Sequence, residues 1–153
     1  KGNEIKIISI ESNLSFSIPI PELEFPVNIH GKVDRVDEFN GMLRIIDYKT
    51  GIVESSNLEI QDWEHVTSDY KFSKIVQVLA YSLMINKNKS FKKAEAGIIS
   101  FKRLKNGFMK FAIKGKPNQT IINIETLNDF THELKKLILE ICNREIPFIE
   151  KKI

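Results

Sequence analysis

The chain has 153 residues, of which 42% are hydrophobic and 28% are charged. This length allows one sizeable hydrophobic core and not two, so we expect a single domain over residues 1–153. No apolar run reaches the roughly 18 residues of a membrane span and no signal peptide opens the chain, which favours a cytoplasmic protein without membrane contacts. Because the first residue is Lys1 and not Met, we expect this domain to be a fragment of a larger protein.

The single cysteine, Cys142, excludes an internal disulfide, a structural zinc site and a four-cysteine iron–sulfur cluster. The net charge of +3 is too small to indicate nucleic-acid binding by itself. Its distribution is uneven, however. Residues 87–116 hold ten basic residues against the single acid Glu95, a local charge of +9, which leaves −6 for the rest of the chain.

The first third of the chain alternates apolar and polar residues with the period of two that is typical of strands. We therefore predict a meander of antiparallel strands. The predicted strands are Glu4–Ile10, Leu14–Ile18, Val27–Phe39 and Met42–Thr50. Asn40-Gly41, between the last two, is the preferred dipeptide for a two-residue type I′ hairpin turn.

The rest of the chain predicts a long acidic loop, two helices and two more strands. Residues 51–71 lack a clear period and form the loop, and helical spacing runs from Phe72 to about Ile85. Residues 94–102 and 107–113 read as strands joined by a turn at 105–107. A second amphipathic helix follows, with Thr126 as its expected N-cap. This order predicts an α/β (α+β) domain with a central sheet flanked by helices.

The Asn40-Gly41 turn has an arithmetic consequence, because residues whose numbers sum to 81 face each other across a two-residue hairpin. Asp34 then faces Asp47, and Lys49 lies one pleat further on the same face. Like charges directly opposite each other are destabilising unless something positive lies between them. On the other face, Asp37 is placed opposite Arg44, which indicates a cross-strand ion pair.

Two interpretations of Asp34, Asp47 and Lys49 remain open. The face is either simply solvated, with Lys49 neutralising one aspartate, or functional. In the functional interpretation the aspartates bind a hard divalent cation such as Mg²⁺, which prefers oxygen ligands, and Lys49 assists a nucleophile or neutralises charge on a phosphate.

The tripeptide Asp-Tyr-Lys is weak evidence alone, because it occurs at both Asp47–Lys49 and Asp69–Lys71. Only the first copy follows an apolar strand and has an aspartate in register upstream. The wider pattern is Gly31-Lys-Val-Asp-Arg-Val-Asp37, then Leu43-Arg-Ile-Ile-Asp-Tyr-Lys-Thr-Gly51, then Gln77-Val-Leu-Ala-Tyr81. It resembles the PD-(D/E)XK nuclease superfamily, and within it the RecB/AddB-like nuclease domain attached to DNA-repair helicases.

The resemblance implies a restriction-endonuclease-like fold and a Mg²⁺- or Mn²⁺-dependent deoxyribonuclease, with an exonuclease favoured. It implies single- or double-stranded DNA ends as substrate, a helicase domain or subunit as partner, and a role in repair or recombination. By position, Asp34 and Asp47 match the metal-ligand aspartates, the carbonyl of Tyr48 a backbone metal ligand, and Lys49 the catalytic lysine.

The resemblance also implies that Gln77 and Tyr81 contact the active site or DNA. Lys74, one helical turn before Gln77, would reach a phosphate or else is an ordinary exposed lysine. The exposed lysines of residues 87–116 would hold the DNA backbone, or are only solvated.

The chain departs from the family in two respects. Some relatives hold an iron–sulfur cluster through flanking cysteines, which Cys142 alone cannot do. Relatives also usually carry an upstream helix with a metal-binding histidine. His30 precedes Asp34 by four residues, but the motif does not place that histidine there. Two alternatives therefore stay open. One is a catalytically silent nuclease-like module that binds DNA ends or docks a helicase. The other is an active domain that needs the histidine helix and is inert without it.

Overall fold

The computed structural model describes residues 2–150 and residue 152. Its strands and helices, in chain order, are β1 (Ile5–Ile18), β2 (Val27–Phe39), β3 (Met42–Lys49), β4 (Glu59–Ile60), α1 (Ser73–Asn88), β5 (Ala94–Ser100), β6 (Phe108–Lys110), β7 (Ala112–Ile113) and α2 (Ile124–Cys142). Five strands form one sheet in the order β1-β2-β3-β5-β6, and β4 pairs with β7 in a second, two-stranded sheet. The predicted α+β domain with a central sheet is confirmed.

The hairpin of β2 and β3 has the register that the turn dipeptide predicts. Asn40 and Gly41 both have positive φ, 49° and 82°, as a type I′ turn requires. Phe39 pairs with Met42 across the turn, and the ladder continues to the pair of Arg35 and Ile46. The sum of 81 therefore holds along the whole ladder.

The two runs predicted before residue 18 are in fact one long strand. β1 pairs antiparallel with β2 from Ile5 to Ile18, with a register shift between Ile7 and Ser9. Glu11 has a positive φ of 51° within it. A local irregularity of this kind lets a strand continue while its side-chain alternation slips, which explains why the sequence suggested a break.

Helix α1 connects β3 to β5, which lie side by side and parallel. A parallel pair needs such a crossover. α1 buries Ile75, Leu79 and Leu83 in the main core together with strand residues such as Ile45 and Ile98. The apolar stripe of α2 adds Leu127, Phe130, Leu134 and Ile138 to the same core. No helix in the described ranges is long and apolar enough to cross a bilayer.

The segment 51–71 is more ordered than a loop, so that prediction is partly wrong. It contains a 3-10 turn at Ser55–Leu58 and strand β4, which pairs parallel with β7. Four isolated apolar side chains are fully buried along it, namely Val53, Leu58, Ile60 and Val66. They hold the segment against the core without producing a regular period.

Three predicted boundaries are also wrong. The strand expected over 94–102 ends at Ser100, and a 3-10 segment, Phe101–Asn106, replaces the expected tight turn. The strand expected over 107–113 is two short strands, separated where Phe111 turns into the core. The N-cap of α2 is Asn123, not Thr126. The two side chains form a capping box, in which Asn123 accepts from the Thr126 N–H at 3.0 Å.

Asp37 is fully buried on the opposite sheet face from Asp47 and is paired with two arginines. Arg44 donates to both of its oxygens, at 2.7 and 2.8 Å, and Arg35 donates to Oδ2 at 2.8 Å. Burial by itself would raise the pKa of Asp37, but the hydrogen bonds and charges of Arg44 and Arg35 outweigh it and lower the pKa. The predicted ion pair with Arg44 is confirmed.

Replacing Asp37 by Asn should destabilise the fold by about 3 kcal/mol at neutral pH, because two arginines lose their buried counter-charge. A carboxyl with a lowered pKa contributes stability above its unfolded pKa and loses it as the pH falls. The difference between wild type and Asp37→Asn in urea unfolding should therefore shrink on acidification. Glu54→Gln, which breaks an exposed pair with Arg103, is the control and should cost less than about 1 kcal/mol. Equal losses for both variants would contradict this assignment.

Candidate active site

The candidate site lies where β2 and β3 separate. Their ladder ends at Arg35 and Ile46, one residue short of Asp34 and Asp47. Beyond this point β2 remains paired with β1, and β3 remains paired with β5 as far as Lys49. The side chain of Asp34 fills the gap, because its Oδ2 accepts the Tyr48 N–H at 2.9 Å.

Asp47 is a buried carboxylate whose charge is only partly compensated. Its side chain is 4% exposed, and Lys49 Nζ lies 2.9 Å from Oδ2. Apart from this ion pair, Oδ2 accepts no hydrogen bond from the residues that the structure describes. Burial raises the pKa of Asp47, the charge of Asp34 raises it further, and Lys49 lowers it, so that the pKa stays above its ordinary value.

Lys49 is linked to helix α1 by two hydrogen bonds in series. Its Nζ donates to Gln77 Oε1 at 2.7 Å, and Gln77 Nε2 donates to the hydroxyl of Tyr81 at 2.8 Å. Gln77 and Tyr81 are one helical turn apart and therefore share a face of α1. The Leu43–Gly51 and Gln77–Tyr81 segments of the sequence motif thus meet at the amine of Lys49.

Gly31 explains how α1 comes so close to β2. A Cβ at this position would lie 3.0 Å from Met84 Cε and 3.4 Å from Tyr81 Cε1. The tight contact is to the end of the Met84 side chain, so a side chain at position 31 would require Met84 to shift. Tyr81 would lie at the edge of ordinary van der Waals contact, beside the strand that carries Asp34.

A comparison with models of protein families shows which family the chain belongs to. The model of the PD-(D/E)XK nuclease superfamily matches residues 2–152, nearly the whole chain. The chain belongs to the PD-(D/E)XK nuclease superfamily. Its mixed five-stranded sheet with flanking helices is the restriction-endonuclease-like fold of these nucleases. No curated protein matches the chain at a significant level.

Members of this superfamily generally use divalent metals such as Mg²⁺, and the donor set here fits such an ion. Asp34 and Asp47 would supply carboxylate oxygens, and the buried Asp47 Oδ2 accepts no hydrogen bond from any residue in the described ranges. Within the described residues, no third carboxylate, histidine or cysteine joins them in a metal-binding group. A cation at this site would therefore take its other ligands from backbone carbonyls, water and substrate, as Mg²⁺ commonly does.

Other residues considered from the sequence lie outside this contact network. Lys74 is partly exposed at the start of α1 and makes no ion pair with a described residue. His30 is exposed on β2 and pairs with Ser15 across the β1–β2 ladder. The structure therefore brings Asp34, Asp47, Lys49, Gln77 and Tyr81 together and leaves Lys74 and His30 out.

The basic stretch 87–116 does not form one surface in this nuclease. Lys87, Lys89, Lys92 and Lys93 lie near the start of β5, whereas Lys102, Arg103 and Lys105 follow its end. Seven residues of strand separate the two groups by about 20 Å. Because β3 and β5 are parallel, only the second group lies at the sheet end that carries Lys49.

Sequence reasoning missed two residues at this sheet end. Ser100 Oγ donates to the Gly51 carbonyl at 2.6 Å and ties the end of β5 to the chain that leaves β3. The ring of Phe101 stacks on Tyr48. Phe101 could have been found as an aromatic directly after an apolar strand in a basic stretch; Ser100 carries no such signal.

Asp47→Asn should raise the free energy of unfolding in EDTA at neutral pH by about 0.5–2 kcal/mol. A carboxyl whose pKa is raised in the folded state destabilises the fold as pH rises above its unfolded pKa, and the amide removes that cost. Asp69→Asn in the second Asp-Tyr-Lys is the control. Its pKa is lowered, first by the Lys71 N–H, so the amide should not stabilise the chain. A lower unfolding midpoint for Asp47→Asn would contradict the conclusion that the charge of Asp47 destabilises the fold.

Proposed function

We propose that this PD-(D/E)XK nuclease is a Mg²⁺- or Mn²⁺-dependent deoxyribonuclease in which Asp34 and Asp47 bind the metal. The observation that carries the proposal is the buried Asp47 Oδ2, which accepts no hydrogen bond from the described residues, has only the Lys49 ion pair, and lies beside a second carboxylate. When bound, the cation would polarise the scissile phosphate and lower the pKa of the attacking water. The Tyr48 carbonyl is the proposed backbone ligand.

Asp34 has a separate positioning role in this proposal. The Tyr48 N–H holds its Oδ2, which fixes the carboxylate plane and leaves Oδ1 for a further ligand. Strand β3 continues directly from Tyr48 to Lys49. Through its hydrogen bond to Tyr48, Asp34 on β2 therefore helps to position Lys49.

Lys49 is the proposed catalytic lysine. Its side chain is 30% exposed, between the Asp47 carboxylate and the Gln77 amide, so its ammonium can meet a phosphate from the solvent side. A fixed positive charge there favours the extra negative charge that develops on the phosphate during hydrolysis. Gln77 accepts a hydrogen bond from this amine and donates one to Tyr81, so both residues help to position Lys49.

The finer proposal is a RecB/AddB-like exonuclease that acts on DNA ends together with a helicase domain or subunit in repair or recombination. It is supported by the order and spacing of the Gly31–Asp37, Asp47–Lys49 and Gln77–Tyr81 segments. We further propose that residues 1–153 are one nuclease domain of a cytoplasmic protein, with Lys74 on α1 as a DNA-backbone contact.

One observation favours a second candidate, a catalytically silent module that binds DNA ends or docks a helicase. In the described part of the chain only two carboxylates meet, and no histidine joins them. An active site that needs an upstream histidine helix would show the same arrangement. The two cases differ in whether supplying such a helix produces cleavage.

The decisive assay incubates the chain with labelled linear and circular DNA, single- and double-stranded, in Mg²⁺, Mn²⁺ or EDTA. We expect metal-dependent cleavage that requires an end, and Lys49→Ala should lower its rate by about 100- to 1,000-fold. Lys71→Ala, in the second Asp-Tyr-Lys, is the matched control and should cut at the wild-type rate. Binding of DNA ends without cleavage in either metal would instead support the silent module or the helix-dependent site, which adding the upstream segment would separate, and cleavage of circles would contradict the exonuclease.

Gln77→Leu should lower kcat by about 10- to 100-fold with little change in KM, because it releases the Lys49 amine without removing a DNA contact. Tyr81→Phe keeps the bond between Lys49 and Gln77 and should have a smaller effect. Steady-state cleavage of a single-stranded oligonucleotide measures both. A rise in KM alone for Gln77→Leu would show that it binds DNA and does not position Lys49.

A further inference from the structure

Two stacked aromatic rings lie at the end of β3 and β5. The ring centroids of Tyr48 and Phe101 are 5.6 Å apart with 14° between the planes. Phe101 remains 53% exposed although Tyr48 covers one side of it. Its outer side therefore offers an open aromatic surface.

The Tyr48 ring of this pair is held by hydrogen bonds. Arg35 Nη1 donates to the Tyr48 hydroxyl at 3.4 Å, and Arg35 is itself paired with the buried Asp37 at 2.7 Å. The Tyr48 N–H is bonded to Asp34. Phe101 thus stacks on a ring that is fixed at both its hydroxyl and its backbone, so a ligand stacking on Phe101 would not have to order the ring below it.

The stacked pair adjoins the proposed cleavage site. Tyr48 lies between Asp47 and Lys49 in β3, and strand alternation directs its ring to the opposite sheet face. Ser100, directly before Phe101, is paired in register with Lys49. A strand of DNA whose phosphate lies at Lys49, and which passes over this sheet end, would bring a base within a few nucleotides onto Phe101.

Cations accompany the exposed ring. Lys102 and Lys105 are exposed in the Phe101–Asn106 segment, and neither forms an ion pair with a described residue. Arg103 between them pairs with Glu54 at 3.0 Å. An aromatic stacking surface beside cations that can follow a phosphate backbone is the combination by which single strands are bound without sequence preference.

We propose that Phe101, supported by Tyr48, is a stacking platform for one unpaired base of the substrate, and that Lys102 and Lys105 hold the adjoining phosphates. The proposal rests on the nuclease function proposed above and adds a substrate class, an unpaired strand. Inside a duplex both faces of a base are covered by its neighbours, so the platform selects single strands and frayed ends.

The test uses a single-stranded oligonucleotide containing 2-aminopurine, whose fluorescence is quenched on stacking, with the full chain in EDTA so that no cleavage occurs. Wild type should quench the probe. Phe101→Ala should abolish the quenching and weaken binding by about 5- to 150-fold, and Phe101→Trp should retain both. Phe148→Ala, at a phenylalanine in the segment after α2 that is more exposed than Phe101, is the control and should match wild type. Unfolding midpoints confirm that each variant is folded.

Cleavage supplies the second readout. In Mg²⁺ or Mn²⁺, Phe101→Ala should raise KM for a single strand and leave KM for a blunt-ended duplex, which offers no unpaired base, unchanged. Unaltered quenching and KM in Phe101→Ala would overturn the platform, and would point to a protein-docking role for the exposed rings. If the chain never cuts DNA but still quenches the probe through Phe101, the nuclease proposal fails while the platform stands.

Discussion

Two carboxylates of like charge, Asp34 and Asp47, meet where the β2–β3 ladder ends, and the rest of the site is arranged around this contact. The two-residue turn at Asn40-Gly41 sets the register that brings them together. Burial of Asp47 makes the repulsion costly, since its pKa is raised and its Oδ2 accepts no hydrogen bond from the part of the chain that the structure describes. Proteins tolerate such local costs mainly at functional sites, where a ligand offsets them.

The opposite face of the same hairpin contributes stability that offsets this repulsion. Asp37 has two arginines and a lowered pKa, so its charge stabilises the fold that places Asp47 in an unfavourable position. Tyr48 joins the two faces. Its backbone N–H donates to Asp34 on one face. Its hydroxyl accepts from Arg35 on the other face, where its ring stacks on Phe101. One peptide unit therefore connects the proposed metal site to the proposed base platform.

The sequence predicted those parts of the fold that depend on local rules. Turn chemistry and a period of two are sufficient to predict the β2–β3 register and the pairing of Asp37 with Arg44. The segment 51–71 could not be predicted, because isolated residues such as Leu58 and Val66 are anchored by a core that forms only in three dimensions. Phe101 follows an apolar strand in a basic stretch, but its stacking on Tyr48 depends on a neighbouring strand and could not be predicted. The hydrogen bonds from Lys49 through Gln77 to Tyr81 needed the packing of α1 at Gly31.

The central claim is that the paired aspartates are a cation site, and anomalous X-ray scattering from a crystal soaked in Mn²⁺ tests it most directly. The account predicts one strong anomalous peak between the carboxylates of Asp34 and Asp47, next to the Tyr48 carbonyl, and its loss in a crystal of Asp34→Asn. A peak elsewhere, or none at saturating Mn²⁺ in a well-ordered crystal, would contradict it.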